Sequence, residues 1–217
     1  MWAAAGGAGV VIVSCMVLIG STRILHLLAP PAEPARYVAA EIPQFALGSA
    51  SLCAAAGLSA VASLPWPVWL PWLGFAGLGV WLACVDAVTG FVPRPVSQLT
   101  TVVVVILIGA QAATTGSAAP LVRAGVGGVV VWLLFAGLWL LARGALGFGD
   151  VRFSLPWAMT AAAASWPHLM LAAVLGSVFA LSLGLAVRSR GTNSFPYTPG
   201  LSVGLFAAAA LLGWPQR

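Results

Sequence analysis

Carboxylates are scarce in this chain: four among 217 residues, against nine basic residues, all of them Arg. Charged residues make up 6% of the sequence, where a soluble domain carries about 25%. So little charge excludes a soluble globular domain. Cysteine is nearly as rare, three in all at 15, 53 and 84. None belongs to a C-x-x-C pair, which argues against a zinc module and a disulfide framework. The two histidines, His26 and His168, are far apart near predicted segment ends, where they read as interfacial residues; no H-E-x-x-H exists. No metal and no cofactor are expected, and no Ser/His or Cys/His arrangement offers a nucleophile. Basic patches interleaved with aromatics are absent, so the net charge of +5 is read as a topology signal and not as a nucleic-acid footprint. The missing lysine reads as a coding bias.

What the chain has is apolar length. It is 61% hydrophobic, with a mean hydropathy of +1.06. The expectation is an all-α polytopic membrane protein, one integral membrane domain over 1–217. Proline, glycine and arginine clusters divide it into about eight segments of roughly membrane length. They are 5–28, 44–64, 66–87, 96–115, 120–142, 150–164, 166–187 and 198–214. The first has no basic n-region, so it is read as a spanning segment and Cys15 as a buried thiol.

Arginine placement orients the bundle. With the N-terminus outside, the loops after segments 1, 3, 5 and 7 and their flanks hold seven arginines: 23, 36, 94, 143, 152, 188 and 190. The other side keeps two, Arg123 and Arg217. This matches the positive-inside rule and puts the end of segment 3 and the start of segment 6 on the cytoplasmic face.

Those two places hold the only acids outside the Pro-rich loop that carries Glu33 and Glu41. Asp86 lies in LACVDAVTGFVP and Asp150 in GALGFGDVRF. Each has a plain reading: Asp150 as a helix N-cap, Asp86 as a headgroup-wetted interfacial residue. Each also has a chemical one, since ionisable groups at membrane depth are costly and usually functional. Two carboxylates can hydrolyse a peptide if one takes a proton from water while the other donates one to the scissile carbonyl. Like charges a few ångströms apart resist ionising together, so one pKa of the pair rises. Helix ends would favour charge on Asp150, at a start, over Asp86, at an end. Gly147 and Gly149, with no Cβ, would let a substrate backbone come close.

Three motifs in order carry a resemblance: VDAVTGFVP at 85–93, GFGDVRF at 147–153 and FPYTPGL at 195–201. Over about residues 70–205 the chain resembles the prepilin peptidases, bacterial GxGD intramembrane aspartyl proteases. The resemblance implies Asp86 and Asp150 as the catalytic pair, with Gly147, Gly149, Arg152, Pro93 and Pro196 positioning substrate. It implies a multi-pass protein of the bacterial cytoplasmic membrane, its active site facing the cytoplasm. Its substrates would be type IV pilin-like or pseudopilin precursors of a pilus or type II secretion system, cut between a basic leader and an apolar helix.

The chain departs from the family pattern in places. Arg152 stands where Lys is usual, Arg94 where Asp or Asn is usual, and Thr198 where Gly is usual. Between segments 1 and 2 it has only APPAEPARYVAAEIP, without cysteine. It therefore resembles a short, peptidase-only form, with no separate methyltransferase or zinc domain. Arg152 reads either as a snorkelling anchor or as a partner for a substrate carboxylate. Two other functions stay open: a small proton- or ion-coupled transporter, and an inactive pilus or secretion assembly subunit. The Pro-Ala-Leu motif of presenilin-like proteases is absent.

Overall fold

The computed structural model describes residues 43–141, 146–188 and 197–213. The first expected segment, 5–28, lies outside the described residues, as do Glu33, Glu41, Arg143 and Pro196. Within them the chain is helical, with no strand. Seven helices follow one another: α1 Pro43–Ser63, α2 Leu70–Thr89, α3 Arg94–Thr115, α4 Ala119–Leu141, α5 Phe148–Ala164, α6 Trp166–Arg188 and α7 Thr198–Leu212. Five of them, α1 to α4 and α6, are long and apolar enough to cross a membrane. The expectation of about eight spanning segments therefore narrows, among the described residues, to five of membrane length plus the shorter α5 and α7, of 17 and 15 residues.

Local chemistry explains the boundaries. Proline occupies the first or second position of α3, α4, α6 and α7, where its missing N–H costs nothing and its fixed φ suits a helix start. Gly90 and Gly116 follow α2 and α3 with φ of 66° and 62°, the left-handed conformation that ends helices. α2 begins at residue 70, later than the expected 66. Pro65 and Pro67 hold the preceding backbone in a turn, in which Val68 N–H donates to Pro65 O at 2.8 Å and Leu70 N–H to Pro67 O at 3.1 Å.

Burial sorts the helices into an inner and an outer group. Of the apolar window in α2, 78% is buried, against 22–39% in α1, α3, α4 and α6. α5 is inner as well, buried from Ala161 through Ala164 and at Phe153 and Trp157. The outer helices instead present Ile106, Leu134, Leu140, Val174 and Leu181 outward. Apolar faces this extensive are unsuited to water and suited to lipid.

Packing in lipid relies on close approach more than on hydrophobic expulsion. α6 and α7 meet backbone to backbone at Gly176, Gly200 and Gly204; a Cβ on Gly200 would run into Ala180, and one on Gly204 into Gly176. Gly200 and Gly204 form a G-x-x-x-G pair. Gly127 and Gly128 of α4 likewise receive Ala162 and Met159 of α5. At the centre, Phe75 packs edge-on against Phe153 at 5.5 Å, and Trp72 against Phe206 at 5.9 Å. These rings join α2, α5 and α7. α2 also carries a π-helical turn, Phe75–Gly79, an irregularity often found near functional sites.

Candidate active site

The inner helices α2 and α5, together with α7, each deliver one polar side chain to the same end of the bundle. α2 delivers Asp86 from its last turn. The Asp86 carbonyl accepts the closing bond from Gly90 N–H at 2.7 Å, so the carboxylate sits where the helix ends. Thr89 secures the exit: its Oγ1 donates to Val85 O at 2.7 Å and accepts from Phe91 N–H at 3.2 Å. The chain then reaches Val92 and Pro93. Pro93 is the N-cap of α3 and accepts from Ser97 N–H at 3.0 Å.

α5 delivers Asp150. Its N-cap is Gly147, in extended conformation, and Asp150 is the third helical residue. The expected role of Asp150 as N-cap is corrected to that extent. Its backbone N–H donates to Gly147 O at 3.1 Å, and its side chain turns back toward the same residue. Gly147 thus lies directly against the carboxylate: a Cβ there would stand 3.4 Å from Asp150 Oδ2.

Gly149 has a neighbour that sequence reasoning did not assign. A Cβ on it would meet Val92 Cβ at 2.8 Å and Cγ2 at 3.0 Å. The room that glycine leaves is occupied by the α2–α3 connection of the same chain. That contact clamps the exit of α2 onto the start of α5 and brings the two acids together. Asp86 and Asp150 interact electrostatically, and both are buried, with 4% and 8% of their surface exposed. They are the only carboxylates among the described residues.

α7 delivers Thr198, its first residue. Thr198 Oγ1 donates to Asp86 Oδ2 at 2.7 Å, across 112 residues of sequence. The hydroxyl reaches Asp86 from a helix N-terminus, where free N–H groups suit an anion. This undercuts the helix-end argument for placing charge on Asp150 rather than Asp86, because each acid now faces a helix start. α7 is itself held in place: Trp157 Nε1 of α5 donates to Leu201 O at 2.8 Å.

Of the positioning residues expected from sequence, Gly147 lies against Asp150, Gly149 packs on Val92, and Pro93 follows Val92 as the cap of α3. Arg152 points elsewhere. Its guanidinium lies over the Phe148 ring at 4.8 Å and lines a groove between α3, α4 and α5. Thr198 was visible only as a departure from a motif, and nothing local links it to Asp86. His168, expected at an interface, is buried instead, with Nδ1 2.7 Å from Ser165 Oγ. Cys53 and Cys84 are free thiols. Among the described residues no group of His, Cys, Asp or Glu could hold a metal ion. No family model matches the chain, and neither a curated protein nor a solved structure does so.

Proposed function

We propose that this protein is a membrane aspartyl endopeptidase that removes the basic leader of type IV pilin-like precursors. One observation carries the reading. A chain with almost no carboxylates puts two of them, from different helices, within electrostatic reach of one another at one end of an apolar bundle. Such an arrangement is costly to maintain as structure alone. It suits general acid–base hydrolysis.

In the proposed reaction one carboxylate accepts a proton from water, and the water oxygen attacks the scissile carbonyl carbon. The other acid, protonated, gives its proton to the carbonyl oxygen. Collapse of the tetrahedral adduct breaks the C–N bond, and the new amine takes up a proton from the pair. Thr198 holds Asp86 Oδ2, which leaves Oδ1 for water or substrate. Gly147, bare of side chain beside Asp150, leaves an approach for a peptide backbone. The arginine distribution supports a site facing the cytoplasm, where a precursor's apolar helix leaves the bilayer, and the resemblance points to a bacterial cytoplasmic membrane. The partners are pilin-like or pseudopilin precursors and the bilayer itself.

The test is co-expression with type IV pilin-like precursors. Wild-type protein is expected to shorten a precursor by its leader, with the cut before the apolar helix. Asp86→Asn or Asp150→Asn, each inserted at normal levels, is expected to leave the precursor intact. Full cleavage by either variant would remove that residue from the catalytic role, and no cleavage by wild type of any such precursor would overturn the reading.

A further inference from the structure

On the outer side of the same end of the bundle lies a groove of about 680 Å³ between α3, α4 and α5. Arg94 and Arg152 line it, and their charges act on one another. Like charges repel, and among the described residues neither guanidinium is paired with an anion: Asp86 and Asp150 are the only carboxylates there. Ser97 and Thr101 continue the groove along one face of α3, and Trp132 and Leu155 complete it with apolar surface. The lining thus changes from cationic at the helix starts to apolar further along the helices.

We propose that this groove binds one anionic phospholipid, its phosphate bridging Arg94 and Arg152 and an acyl chain lying along Trp132 and Leu155. Charge complementarity selects the occupant. Two forked guanidiniums with no counter-charge among the described residues match a phosphate diester, which each can engage with paired N–H donors. The helix starts of α3 and α5 lie at the headgroup level of a spanning bundle, where anionic lipid is concentrated. Phe148 stacks beneath Arg152 and restricts its swing, so part of the ordering cost is met before the lipid arrives. The site is separate from the acid pair and does not depend on the proteolytic reading.

The test uses the full chain in a neutral detergent, titrated with phosphatidylglycerol or phosphatidylcholine and read by native mass spectrometry. Phosphatidylglycerol is expected to bind one to one, at least about tenfold more tightly than phosphatidylcholine. Arg94→Gln and Arg152→Gln are each expected to weaken it by about tenfold, and Arg94→Lys with Arg152→Lys to fall between. Thr101→Trp, which fills the groove without touching either charge, is expected to abolish binding; should the Gln variants fail to fold, it decides alone. Equal binding of the two lipids, or phosphatidylglycerol binding that survives Thr101→Trp or both Gln changes, would overturn the proposal. So would displacement of the lipid by inorganic phosphate at matched concentration, which would make this a free-anion site.

Discussion

The two ends of this bundle treat charge in opposite ways. At the end of α5, Arg123 lays its guanidinium across the helix terminus. Nε donates to Ala162 O at 3.2 Å, and Nη2 to Ala163 O at 2.8 Å and Ala164 O at 3.2 Å. Every bond goes to a carbonyl that the helix itself leaves unpaired. The charge is a cap, and its work is complete within the fold. At the start of α5, Asp150 lies within the electrostatic reach of another carboxylate, and Asp86 is gripped by a side chain 112 residues away. A charge beside backbone dipoles of opposite sign stabilises. A charge beside its like does not, and it persists only where neighbouring donors hold it. The first pattern is structural; the second is what acid–base chemistry requires.

Apart from the acids themselves, the largest effect expected on the second pattern comes from Gly149→Val. The added side chain would strike Val92 and force the α2 exit away from α5. An ångström of displacement between reacting groups costs about a hundredfold in rate, so cleavage is expected to fall at least that far. Stability should fall with it by about 1–3 kcal/mol, and Val92→Ala should restore part of both. Loss of cleavage at wild-type stability would mean that Gly149 serves the substrate and not the clamp.

A smaller effect is expected at Thr198. Thr198→Val keeps the shape and removes the hydroxyl donor. A hydrogen bond to a charged group is worth about 1.5–3 kcal/mol, so kcat should drop about ten- to a hundredfold with KM little changed. Thr198→Ser should recover most of it. An unchanged kcat in Thr198→Val would reduce the contact to packing.

The smallest effect on catalysis is expected at the opposite end. Arg123→Gln should lower thermal stability by about 1–2 kcal/mol, from lost carbonyl bonds and lost helix-end attraction. Cleavage per folded molecule should stay at the wild-type rate. A specific loss of cleavage would erase the contrast between the two ends.

Much of this was legible in the sequence because membrane helices announce themselves by apolar length and by proline and glycine at their ends. Expected and observed bounds of α3, α4 and α6 differ by two residues or fewer. The start of α2 was not, because Trp66, Val68 and Trp69 are as apolar as a helix while Pro65 and Pro67 turn the backbone. The position of Asp150 in its helix was off because Gly147, extended and without a side-chain bond, takes the cap instead. The acid pair could be read from scarcity and spacing. Its grip could not: Thr198 to Asp86 and Val92 to Gly149 are contacts between remote segments, and no local pattern encodes them. The G-x-x-x-G of α7 was a readable signal that went unused, and it fixes the helix that carries Thr198.

On the proposed reading, Asp86 and Asp150 act as one unit. Cleavage of a pilin-like precursor by Asp86→Asn, Asp150→Asn and the double variant, at equal membrane levels, tests it most directly. Residues that act together are strongly non-additive. Each single change is therefore expected to lower cleavage by roughly a thousandfold or more, and the double variant should be no worse than either. Losses that multiply in the double variant, or a single variant that cleaves at the wild-type rate, would contradict the pair.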